Sequence, residues 1–152
     1  MATTSLPRPA RRLAVVGLVF ATATLLAACL TPAQESVQNE LNADRRANGR
    51  SSLDIHWQAN TKAQAWAEKL AREGRLYHSN LSDGIYDRWC NLGENVGYGS
   101  SVASIEDAYM ASSGHRANIL NTIWNGVGVG YATGKVSGVT VVFTVQVFIR
   151  TC

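Results

Sequence analysis

Between Trp57 and Glu73 the residues Ala59, Ala63, Trp66 and Leu70 recur at three- and four-residue steps, while Gln58, Lys62, Lys69 and Arg72 fall on the opposite side. That spacing predicts an amphipathic helix, and Gly74 supplies the stop. Glu35 to Asn48 carries a thinner stripe of Val37, Leu41 and Asp44, with Gly49 behind it as a left-handed cap. A third helical period, Val102, Ile105 and Tyr109, runs to Ser112 and is capped by Ser100 or Ser101. Ser112-Ser113-Gly114 interrupts it, and a second short helix over His115–Asn121 follows, for which either serine is an N-cap.

The period then changes to two. Val127–Tyr131 reads as a strand, and Val139–Arg150 as a longer one with Val139, Val141, Phe143, Val145, Val147 and Ile149 on one face. Its other face, with Thr140, Val142, Thr144, Gln146, Phe148 and Arg150, is mixed, which suits a sheet with helices on one side and a polar cavity partly covered on the other. Gly126, Gly128 and Gly130 leave one side of the first strand as bare backbone, open to a close neighbour. Tyr77–Ser100 shows no sustained period and reads as a long loop with short extended pieces, the kind of segment that carries sites. Helices first and antiparallel strands last predict an α+β domain.

The 152 residues, 46% hydrophobic and 16% charged, suit one such domain. The first 28 read differently: Arg8, Arg11 and Arg12 precede an uncharged run that ends in small residues, the layout of an export signal. Leu26–Cys29, LAAC, resembles the lipobox of bacterial lipoproteins, in which the cysteine is lipidated and becomes the first residue. A lipid anchor on Cys29 is favoured over an uncleaved spanning segment, over cleavage near Ala28 and over twin-arginine export. The organisation expected is a signal over 1–28, a tether over 29–34 and one domain over 35–152. Its place is extracytoplasmic, held at the cell membrane as a lipoprotein, with secretion as the alternative.

Charge and cysteines follow from that division. Removing the leader takes away three arginines and no acid, leaving 11 basic and 11 acidic side chains and no basic cluster, so a nucleic-acid partner is set aside. With Cys29 used for the anchor, Cys90 and Cys152 are left to pair as a disulfide.

Three chemistry-bearing residues flank the glycine-rich loop: His78 in LYHSN, Glu94 in LGENVGYG and His115 in SSGHRANIL. Two imidazoles and a carboxylate can hold zinc with an open fourth position, yet separations of 16 and 21 residues match no compact metal motif. Each also has a plain structural reading as a turn, cap or backbone partner. A serine hydrolase built on Ser112 or Ser113 with His115 is the other chemistry. Against it, residues two apart at a helix start do not generally face one another, and no GxSxG elbow is present. Glu94 would have to orient the imidazole.

LGENVGYG, then YMASSGHRANIL, then GVGVGYA and FTVQVF, in that order, resembles the bacterial branch of the CAP superfamily of cysteine-rich secretory proteins, venom antigen 5 and pathogenesis-related proteins. The likeness spans about residues 35–150. It implies a three-layer α-β-α sandwich with a central antiparallel sheet and a cleft bearing two histidines and two glutamates. By motif, His78, Glu94 and His115 would be three of the four, and Gln146 the polar residue of the last strand that looks toward the cleft. Ser112 stands where the eukaryotic branch has its second glutamate. Members bind divalent metal, lipids or sterols, with no general reaction established. The resemblance therefore implies a monomeric domain with a polar cleft for lipid, wall material or a divalent ion such as Zn2+, no cofactor being required. A metal-dependent or serine hydrolase acting on envelope substrates is the alternative.

Overall fold

The computed structural model of the protein describes Met1 and residues 29–152, so the leader read over 1–28 lies, apart from Met1, outside the described residues. The elements follow in the order α1 (Pro32–Ala47), α2 (Trp57–Glu73), β1 (Trp89–Gly99), α3 (Val102–Ala111), α4 (Ser113–Leu120), β2 (Gly126–Val136) and β3 (Val139–Thr151). The strands form one antiparallel sheet in the order β1-β3-β2.

Strand β3 is central, and both of its faces are buried. Phe143, Val145, Val147 and Ile149 pack with Ala59, Ala63, Ala67 and Leu70 of α2. Phe148, on the opposite face, joins Val37 and Leu41 of α1, Ile105 and Tyr109 of α3 and Ile119 of α4. The architecture is thus α+β, a sheet between a one-helix layer and a three-helix layer. The mixed face of β3 does not border an open polar cavity as its composition suggested. Thr144 and Gln146 are enclosed and hydrogen-bonded there.

Helix α2 has the span its periodicity predicts, with Gly74 at φ 65° as its cap. It can approach β2 because the glycines there carry no side chain. A Cβ on Gly128 or Gly130 would fall inside the backbone of Ala59 or Ala63. Gln58, expected on the solvent side, is buried instead: its carbonyl accepts the Tyr86 and Asp87 N–H groups and its amide donates to Asp87.

An edge strand exposes a row of unpaired backbone groups that invites pairing with another chain. Here β2 is sealed. Asn60 and Gln64 accept the Val129 and Tyr131 N–H groups, Gln34 and Gln64 donate to the carbonyls of the same two residues, and the segment before α2 bridges Val127.

Several boundaries differ from the pattern-based reading, among them the end of β2, which runs past Tyr131 to Val136. Helix α1 starts at Pro32, inside the segment read as tether, because Thr31 and Gln34 form a capping box. Trp89–Gly99, read as part of a loop, is an 11-residue strand. Helix α4 starts at Ser113 rather than His115, and Ser112, its N-cap by position, makes no side-chain capping bond.

Cys90 and Cys152 are joined as a disulfide that ties the chain end to β1, with Cα atoms 5.2 Å apart. Reduction is expected to lower stability by about 4 kcal/mol on the loop-entropy model, read as a lower urea midpoint with dithiothreitol than without. Gly130→Ala is expected to cost about 3 kcal/mol or more, since backbone rather than a movable side chain blocks the new methyl. Gly114→Ala, with nothing within 4 Å of the added carbon, is expected to be neutral or to stabilise by up to about 1 kcal/mol in the same measurement.

Candidate functional site

The site is organised by the alternation of side chains along β1. Val96 packs on the α2 side of the sheet and Gly97 lies under Tyr109 on the other, so Glu94 and Asn95 also point to opposite faces. On the α2 side Glu94 is 5% exposed, and its carboxylate is fully engaged. Oε1 accepts the Ser79 backbone N–H at 2.9 Å and the His78 Nδ1–H at 2.8 Å, and Oε2 accepts the Ser79 hydroxyl at 2.6 Å. A buried carboxylate needs such partners. The pairing also fixes the His78 ring, which is largely exposed and whose Nε2 has no partner among the described residues.

On the other face Asn95 is the hub. Its amide donates to the His115 carbonyl at 3.2 Å and to Gln146 Oε1 at 3.0 Å, and its oxygen accepts from Asn118 at 2.9 Å. Asn118 also donates to the Glu94 carbonyl, and its own carbonyl accepts the Trp124 indole N–H. The five residues read from sequence as cleft-lining take different places. His78 and Glu94 bond directly, His115 and Gln146 are joined through Asn95, and Ser112 sits at the junction of α3 and α4, bonded to both through its backbone.

Around the outer edge of β1 runs a groove of about 450 Å³, walled by Leu76, Val96, Tyr98, Ile105 and Tyr109, with Ser112 and His115 supplying polar groups. The His115 ring leans on Tyr109, centroids 4.9 Å apart. Burial, and then the proximity of His78, hold its pKa below the ordinary imidazole value. Gly97 makes this wall: a Cβ there would stand 2.8 Å from the Tyr109 ring. Tyr109 is locked from beneath by Thr144, whose carbonyl accepts its O–H at 3.0 Å. Gln146 is fully enclosed under this layer and does not reach the groove.

Two readings of the chemistry can be compared with this arrangement. Neither Ser112 nor Ser113 hydrogen-bonds His115 among the described residues, and Glu94 orients His78 instead, so a serine–histidine–carboxylate relay is not assembled. For a divalent ion, no three His, Cys, Asp or Glu side chains among the described residues are grouped to hold one. Both Glu94 oxygens and His78 Nδ1 are engaged by protein hydrogen bonds, which leaves His78 Nε2 and the His115 ring as the uncommitted nitrogen donors among the described residues.

The inner end of the network holds a residue that sequence reasoning missed. Glu106 is 3% exposed, its Oε2 accepts the Gln146 amide at 2.6 Å, and Oε1 has no partner. Burial pushes its pKa up to about 8, only partly opposed by the Gln146 bond and reinforced by Asp44, Glu40 and Asp107. It therefore carries a proton at neutral pH. A signal was available, because Glu106 lies four residues after Val102 and three before Tyr109, on the buried stripe of its helix.

The cysteine-rich secretory protein family model matches residues 38–148. The chain belongs to this family, known as CAP. Among solved structures it is similar to an outer surface protein of Borrelia burgdorferi, at 18% identity and TM-score 0.64, covering 80% of this chain and 97% of that one. Venom allergen-like protein 4 of Schistosoma mansoni aligns at 14% identity and TM-score 0.63 over 80% of this chain and 90% of the other. A cysteine-rich secretory protein of Staphylococcus aureus aligns at 20% identity and TM-score 0.60, over 78% of this chain and 38% of that longer one. At these identities the likeness speaks for the CAP fold. No curated protein sequence matches the chain.

The Glu106 carboxyl gives a pH dependence of definite sign. Its folded-state pKa lies above the ordinary 4.5, so its contribution to stability is complete below about pH 4.5 and is lost as pH rises from there through about 8. Glu106→Gln keeps the acceptor for Gln146 and removes the titration. The variant is expected to melt near the wild type at pH 5 and several degrees above it at pH 9, roughly the shift a few kcal/mol produces, as checked by thermal melts across that range.

Proposed function

We propose that this CAP domain is an extracytoplasmic binding module, tethered through a lipid on Cys29, whose groove takes an amphipathic ligand without turning it over. The groove beside His115 carries the reading. Leu76, Val96, Ile105, Ala108 and the two tyrosine rings offer apolar contact, while the polar groups of Ser112 and His115 suit the head of a lipid. His78 and Glu94, bonded to each other beside it, act as a fixed rim. A wall fragment is a poorer match to these mostly apolar walls. The tether is supported by an exposed Cys29 just ahead of the Thr31 cap of α1, and by a disulfide of the kind that persists in oxidising compartments.

A fluorescent long-chain fatty acid is the direct probe. Saturable binding is expected, weakened about tenfold or more by Ala108→Phe, which fills the groove, and severalfold by His115→Ala, the loss of one or two favourable contacts. Equal binding by all three proteins would remove the groove from the reading. Turnover of esters, peptides or muropeptides that disappears in Ser112→Ala would replace binding with hydrolysis. For the tether, labelled palmitate is expected to be incorporated by the wild type and not by Cys29→Ser.

A further inference from the structure

Arg45, in the last turn of α1, is only 2% exposed. Its guanidinium is held by carbonyls: Nε donates to Ser51 at 2.8 Å, and Nη1 to Ile119 and Asn121. No carboxylate lies within ion-pair distance of it among the described residues. The charge that acts on it is that of Arg50, which repels it. Buried charges are ordinarily paired with an opposite charge, and this one is not.

Nη2 makes no hydrogen bond to the described residues. Since Glu106 Oε1 is the one fully buried side-chain polar atom left unpartnered among them, Nη2 must reach solvent. Arg45 lines a cavity of about 280 Å³ between the end of α1 and the start of β2. Arg45, Arg50, Ser51, Thr122 and Asn125 are among its walls, and Asp54 is its single acid. The cavity shares no wall residue with the groove beside His115.

We propose that this cavity is an oxyanion site for a phosphoryl group carried on a small polar substituent. A singly charged carboxylate is satisfied by the two-pronged edge of one guanidinium, whereas two arginines on one cavity suit an anion with more charge and more oxygens. Arg45 keeps Nη2 uncommitted and the exposed Arg50 guanidinium adds further donors, an arrangement matched to a tetrahedral oxyanion. The Thr122 hydroxyl lies in the same wall. Nine or so waters' worth of space exceeds what a bare phosphate fills, leaving room for the group that bears it. The anion supplies the counter-charge that the fold withholds from Arg45.

The test is an amide-resolved NMR titration of the protein with inorganic phosphate, sn-glycerol 3-phosphate and anionic phospholipid vesicles, against chloride at matched ionic strength. Saturable shifts are expected at residues 50–54 and 122–125, with glycerol 3-phosphate binding more tightly than phosphate. Arg50→Ala is expected to weaken binding about tenfold, and Asp54→Asn, which removes the single opposing charge, to tighten it severalfold. Neither change touches the carbonyl bonds of Arg45, so both proteins should fold. A response to vesicles alone would identify a lipid headgroup as the source of the phosphoryl group. No saturable shift with any of the three, or affinities that Arg50→Ala and Asp54→Asn leave unmoved, overturns the proposal.

Discussion

Helix α2 rests on a strip of β2 from which side chains are missing. The alanines of the helix meet the bare backbone of Gly128 and Gly130, and at that closeness Asn60 and Gln64 can reach around to the N–H groups of the edge strand. One close approach thus buries the helix face and seals the edge. Everything on the far side of the sheet depends on it, because β3 must be covered by α2 on one face before Gln146 and Phe148 can be enclosed on the other.

The site inherits its rigidity from that double burial. β1 pairs with β3 from Trp89 to Gly99, and its alternation sends Glu94 toward His78 and Asn95 toward Gln146. A chain of amides, Asn118 to Asn95 to Gln146, then connects the rim of the groove to the buried acid Glu106. Amides suit this role, since each both donates and accepts and no charge has to be desolvated. Glu106 is the exception, and burial resolves it by leaving the carboxyl neutral.

Arg45 presents the opposite solution to the same problem. It cannot neutralise itself by losing its proton, and the fold surrounds it with carbonyl dipoles rather than a carboxylate. These two buried ionisable groups therefore differ in what they leave open: Glu106 an unpartnered oxygen inside the helical layer, Arg45 an uncommitted donor on a residue that lines a cavity.

Elements whose pattern is local were legible in the residues: α2 from its repeat of alanines, β3 from its alternation, and the close approach to β2 from its glycines. β1 was not, because Gly93, Gly97 and Gly99 stand where apolar side chains would have marked a strand, their places filled by Trp124, Tyr109 and Ile105 from other elements. The inner face of α1 was half hidden for a similar reason, since Gln34, Asn42 and Arg45 are buried polar residues satisfied by distant backbone. The order of motifs carried the family and the positions of His78, Glu94 and His115. Which atoms of these residues meet, that Ser112 stays apart from His115, and that Glu106 and Arg45 lie buried were decided only by tertiary structure. A hydrogen bond or an unpaired charge is a relation between chain segments tens of residues apart, and periodicity records only what each segment does with its own neighbours.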